Sequence, residues 1–199
     1  MSKLLYIKAN PKSNEDSYTF KMSERFIKVY KEVNPNDDII TLDLYKENIK
    51  FLDNEMLGDL FGGKESIMLK YAKQFADIDR YVIAAPMWNL GIPAILKAYF
   101  DYVTIAGVTF KYTESGPIGL LADKGKKAVY IAARGGKYSE GPAEAYEMGE
   151  RYVRTIMGFM GVTDIATVTA ELTNVLRGEE LENAIMHSVE AAEKAARDF

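Results

Sequence analysis

What most constrains this chain is an alternation: five short apolar runs rich in β-branched residues, interleaved with stretches whose apolar side chains recur every three or four positions. The runs are Leu4 to Lys8, Ile39 to Leu44, Arg80 to Ala85, Lys127 to Ala133 and Thr163 to Thr169. Helices are predicted from about Ser17 to Glu32, Glu65 to Phe75, Ile92 to Val103, Pro142 to Met160 and Glu179 to Ala196. Strand and helix in strict turn imply a parallel sheet with helices on both faces, joined by right-handed crossovers. Tyr81-Val82-Ile83-Ala84-Ala85 is apolar at every position, which suits a central strand covered on both sides. The expected buried stripes are Met22, Phe26, Val29/Tyr30 and Val33 in the first helix, Ile95, Ala98/Tyr99 and Tyr102 in the third, and Tyr152, Ile156 and Phe159/Met160 in the fourth. Two segments resist this reading. Tyr45 to Gly63 has no clear period and is closed by Gly62-Gly63, and Thr104 to Lys127 is long and Gly-rich with Gly116-Pro117 as its turn.

A chain of 199 residues fits one domain, residues 1–199, and buries enough surface to need no staple. It has no Cys and one His, His187, so thiol chemistry, iron–sulfur clusters and imidazole metal clusters are excluded, and no metal is expected. Lys plus Arg number 25 against 29 Asp plus Glu, for a net charge of −4; no basic excess points to nucleic acid. Leu4-Leu5-Tyr6-Ile7 is too short for a signal peptide and no run approaches a membrane span, so the expectation is a soluble, cytoplasmic protein. His187 lies among Ala and Met in the last helix and reads as a surface or interface residue.

In open parallel sheets ligands bind beyond the carboxyl ends of the strands, where strand order reverses. The loop after the first strand, Asn10 to Thr19, opens a helix, and a helix N-terminus with hydroxyls beside it binds phosphate. Asp16 and Ser17 serve equally well as simple N-caps there. The dinucleotide glycine fingerprint is absent. Gly119 to Lys127 misses the Walker spacing by one residue, and the strand ends lack the acidic residues of a phosphoacceptor domain. After the third strand, Pro86-Met87-Trp88-Asn89-Leu90 holds the chain's one Trp between prolines, placed to lie against a flat aromatic ligand. After the fourth, Arg134-Gly135-Gly136 offers approachable backbone N–H groups. Tyr112 and Phe159 read as core by spacing alone.

Taken together, Ala85-Pro86-Met87-Trp88-Asn89, Leu96-Lys97-Ala98-Tyr99-Phe100-Asp101, Ala106 to Pro117, Arg134-Gly135-Gly136 with Gly141-Pro142, and Gly158 to Asp164 resemble the FMN-dependent NADH-azoreductases over nearly the whole chain. The resemblance implies a flavodoxin-like three-layer α/β sandwich with a five-stranded parallel sheet of order 2-1-3-4-5. It places FMN phosphate and ribityl at Asn10 and Ser17-Tyr18-Thr19, the isoalloxazine against Met87-Trp88-Asn89-Leu90, and its pyrimidine end at Ala133-Arg134-Gly135-Gly136. It also implies a homodimer in which Tyr112 and Phe159 line the partner's pocket. The family usually has Ser at Asn10 and Ala133, Ser-Gln-Ser at Ser17-Tyr18-Thr19 and often Tyr at Trp88. The activity implied is hydride transfer from NADH through the flavin to azo compounds or quinones in ping-pong fashion, with no acid–base dyad. A flavodoxin-type electron carrier is the alternative from another class. Tyr99, Phe100, Tyr102, Phe110 and Tyr112 crowd fourteen residues and are expected to leave an exposed interface patch.

Overall fold

The computed structural model describes residues 1–61 and 65–199; Gly62-Gly63, expected to close the second segment, lie outside the described residues. In chain order the elements are β1 (Lys3–Lys8), α1 (Tyr18–Val33), β2 (Asp38–Asp43), α2 (Asn54–Phe61), α3 (Ile67–Asp77), β3 (Arg80–Ala84), α4 (Ala94–Val103), β4 (Phe110–Thr113), β5 (Gly116–Gly119), β6 (Lys127–Ala133), α5 (Gly149–Met160), β7 (Asp164–Ala170) and α6 (Gly178–Arg197). Five strands form one parallel sheet in the order β2-β1-β3-β6-β7, the flavodoxin-like order 2-1-3-4-5 expected for the major strands.

Strand side chains alternate between two cores, as a period of two requires. Leu5 and Ile7 of β1, Tyr81 and Ile83 of β3, and Ala128 and Tyr130 of β6 enter one core with α3, α4 and α5. Leu4 and Tyr6, Val82 and Ala84, and Val129 and Ile131 enter the other with α1 and α6. Phe26 of α1 is fully buried there, worth about 1.5–3 kcal/mol against exposure.

Five expectations need correction. The stretch with Gly116-Pro117 as its turn is a β-hairpin: Tyr112 pairs with Pro117, and the turn falls at Glu114-Ser115. The helix expected from Pro142 begins only at Gly149, because the Glu147 carboxylate accepts the N–H groups of Glu150 (2.8 Å) and Arg151 (3.2 Å) and so caps it late. Its buried stripe is Val153, Met157 and Met160, with Tyr152, Ile156 and Phe159 half-buried against the core's rim; Val33, the last residue of α1, is exposed. Lastly, Tyr99, Phe100, Tyr102 and Phe110 are buried, leaving only Tyr112 exposed of the five. α4 directs Tyr99 and Tyr102 toward Tyr71 of α3 and Phe100 toward Tyr152 of α5, so one layer absorbs them all.

Candidate active site

Four chain segments meet beyond the carboxyl ends of the strands, at the switch point between β1 and β3. Asn10 follows β1, and its Nδ2 donates to Ser17 Oγ (2.9 Å), while the same oxygen caps α1 by accepting Phe20 N–H (3.2 Å). With both of those bonds received, the Ser17 hydroxyl proton is left to donate outward. Thr19 is in the same condition: its Oγ1 accepts Ala133 N–H (3.1 Å) and gives no proton to an acceptor among the described residues. Asn10, Ser17 and Thr19 are all buried, and the N–H groups of Tyr18 and Thr19 in the first turn have no acceptor among the described residues. Two hydroxyl protons and two helix-end N–H groups facing one space make an anion pocket.

That pocket is a cavity of about 160 Å³, lined by Asn10, Ser17, Tyr18, Thr19, Pro86, Met87, Trp88, Ala133, Gly135, Thr173 and Asn174, with Lys12 and Asp16 at its mouth. Ala133 joins the walls through its backbone, its N–H going to Thr19 and its carbonyl accepting Met87 N–H (3.0 Å). Three of the segments singled out from sequence are thus stitched at one residue, whose side chain takes no part. A Cβ at Gly135 would stand 2.5 Å from Asn174 Nδ2 and push that side chain from its place in the cavity wall.

Trp88 to Gly91 closes as a two-residue turn, with Trp88 N–H on Gly91 O (2.9 Å) and Gly91 N–H on Trp88 O (3.0 Å). Both central residues are left-handed, Asn89 at φ 48 and Leu90 at φ 71; the geometry favours Asn-Gly, and a leucine here is strained by about 1–3 kcal/mol. Trp88 also borders an open groove of about 840 Å³, whose lining includes Tyr45, Phe51, Asn89, Ile92, Ile95, Met148 and Tyr152, with Lys97 as its charged residue. Burial pushes the Tyr152 phenol up to about 12, so it stays neutral there. The groove can take a flat apolar molecule edge-on to the smaller cavity, with Trp88 as the shared wall.

Arg134 is not the approachable donor expected of it, because its N–H goes to Ala170 O (2.8 Å). Its side chain is buried away from the cavity, with Nη2 on Glu150 (2.8 Å) and Glu147 (3.4 Å) and Nη1 on Glu171 (3.4 Å). Gly136 does not line the cavity either, although its N–H has no acceptor among the described residues. Leu90 lines neither space. Tyr112 and Phe159 also lie outside both and are linked through Phe110, at centroid distances of 5.3 and 4.8 Å. Thr173 and Asn174 were missed, though they follow β7 and the strand-end rule would have found them. Tyr45 and Phe51 come from the segment without a period, which carried no signal.

Comparison with known proteins agrees with this geometry. The model of the flavodoxin-like fold family matches residues 2–196. An FMN-dependent NADH:quinone oxidoreductase of Caldicellulosiruptor bescii is 57% identical over 204 residues, covering all of both chains. The FMN-dependent NADH:quinone oxidoreductase 2 of Clostridium acetobutylicum is 55% identical over 206 residues, again covering both completely. Among solved structures, an azoreductase from Bacillus anthracis superposes with a TM-score of 0.92 at 41% identity over 100% of each chain. An FMN-dependent NADH-azoreductase of the same species, in complex with FMN, gives 0.86 at 34% identity over 98% of this chain and 100% of that one. With identity of this order running end to end, the chain belongs to the flavodoxin-like family that contains the FMN-dependent NADH:quinone oxidoreductases and azoreductases.

Proposed function

We propose that the protein is an FMN-dependent NADH oxidoreductase that reduces quinones and azo compounds, carried by one observation: the anion pocket at the start of α1 shares Trp88 with an apolar groove. The pocket fits FMN. Ser17 and Thr19 would donate to its phosphate, Met87 and Trp88 would flank the ring, and Gly135 leaves the backbone approachable at the other edge. Held there, FMN would supply the hydride-transfer chemistry between NADH and the acceptor. The protein's part is placement: the apolar walls of the groove would shed water from flat reactants and hold them against the ring. Among the described residues the groove contains no His and no carboxylate pair, so it offers no acid–base dyad.

The purified protein mixed with NADH and a quinone should consume NADH absorbance. A protein that holds FMN and leaves NADH untouched would instead be an electron carrier. A groove and a cavity that share Trp88 support ping-pong exchange, with parallel double-reciprocal lines as the expected pattern. A cytoplasmic homodimer belongs to the same reading. Its support is that Tyr112, 73% exposed on the β4–β5 hairpin, and Phe159 stand outside both spaces of their own chain. Mixing a chain unable to bind FMN with Phe159→Ala should then restore activity through hybrid dimers, whereas an active monomer in light scattering excludes the crossover.

A further inference from the structure

We propose that Arg134 is a positioning residue: through its carboxylate partners it fixes the gap between the Gly135-Gly136 loop and the Trp88–Gly91 turn, the two walls between which the flavin ring would lie. The inference rests on the FMN reading above and concerns how the ring is gripped. Arg134 itself has no surface in the cavity.

The connections run in two directions from one guanidinium. Toward the loop, Glu171 holds both ends at once. Its Oε1 pairs with Arg134 Nη1 (3.4 Å) and accepts Tyr138 N–H (2.8 Å), and its Oε2 accepts the Ser139 hydroxyl (2.6 Å). The Arg134 carbonyl further accepts the N–H (3.1 Å) and hydroxyl (3.0 Å) of Thr173, and the Gly135 and Gly136 carbonyls accept Asn174 and Leu172 N–H. Toward the turn, Nη2 reaches Glu147 (3.4 Å) and Glu150 (2.8 Å) at the start of α5. The next residue after Glu147, Met148, donates its N–H to the carbonyl of the strained Leu90 (3.0 Å). Glu147 is thus the hinge pin. One carboxylate caps α5, pairs with Arg134, and sets the backbone that holds the turn.

An arginine suits this place because its planar fork spans carboxylates on opposite sides, which the single ammonium of a lysine does not. The guanidinium is 2% exposed, and the side chains of Glu147, Glu150 and Glu171 are 11, 23 and 15% exposed. Removing the positive charge outright would leave three half-buried carboxylates facing one another. Arg134→Lys keeps the charge and loses the span, so it separates placement from charge balance.

FMN affinity by equilibrium dialysis and circular dichroism in the flavin absorption bands test the idea, first on the wild type and then on Arg134→Lys and Glu147→Gln. A wild type that does not take up FMN overturns the FMN reading itself. Given wild-type binding, the expected result is that Arg134→Lys melts close to the wild type, binds FMN about tenfold more weakly, and shows altered flavin-band dichroism. Glu147→Gln, which leaves Arg134 paired with Glu150 and Glu171, should show the same two changes, and it carries the test alone if Arg134→Lys does not fold. Wild-type affinity and wild-type flavin dichroism in the folded variants overturn the proposal and leave the FMN reading standing.

Discussion

The two helical layers rest on the same sheet but differ in what they leave open. The α1–α6 layer is closed over its aromatic core: Phe26 stacks with Tyr30 at 6.4 Å between centroids and Phe199 meets both edge-on, while a recess of about 500 Å³ lined by Tyr18, Lys21, Leu181 and Ile185 lies outside that core, and the layer's contribution to the site is confined to the tip of α1. The α3–α4–α5 layer buries more aromatics yet leaves Phe51, Trp88, Tyr112 and Met148 exposed, along with a groove and a hairpin. The difference teaches a division of labour. The closed layer would seat an anion at the tip of α1, and the open one would present apolar surface to planar molecules that come and go.

The largest effect that would break this contrast is in the closed layer. Phe26→Ala should cost about 3–5 kcal/mol of stability in urea unfolding, whereas Phe51→Ala in the groove should stay within about 0.5 kcal/mol and raise KM for the acceptor. Equal stability losses would mean that the groove is core. Next comes Gly161, left-handed at φ 102, where a Cβ would stand 2.4 Å from Ala122 N and push the segment after the hairpin off the end of α5. Gly161→Ala should destabilise by about 2–4 kcal/mol, read from the same unfolding curves.

A smaller effect sharpens the anion seat. Ser17→Ala removes one hydroxyl donor and should weaken FMN by about 0.5–1.5 kcal/mol while leaving riboflavin binding unchanged, as measured by dialysis. An equal loss for riboflavin would show that Ser17 does not face a phosphate. The smallest effect is acidic. Burial by itself would raise the Glu150 carboxyl, but hydrogen bonds from Arg154, Thr167 and Arg134 outweigh it and hold it below its ordinary 4.5. A lowered folded value stabilises above the ordinary value and is lost as pH falls through the lowered one. The melting-temperature gap between wild type and Glu150→Gln, worth about 1 kcal/mol or less, should therefore be full at neutral pH and shrink below about pH 4.5. A gap that is constant with pH assigns the effect to packing.

How much of this was legible from residues follows the same division. Leu4 to Lys8 and Arg80 to Ala85 announced the sheet because each side chain meets a partner close by in a regular lattice. The same regularity exposed Ser17 and Trp88 as strand-end residues. Pattern fails where a side chain does something other than pack. Glu147 sets where a helix starts through its carboxylate, and Arg134 looks from sequence like a ligand contact but turns away to three acids. Tyr45 and Phe51 gave no period because they line an open groove rather than a regular helix or strand face.

Leu90 has a consequence on another timescale. At φ 71 it holds a conformation that glycine adopts freely, so Leu90→Gly is a substitution by which this chain could become more heat-stable at once. A library screened for survival on heating will drift toward glycine there, trading a side chain of the turn that carries Trp88 for ease of folding. Keeping leucine at this position under laboratory evolution requires that turnover be selected in every round.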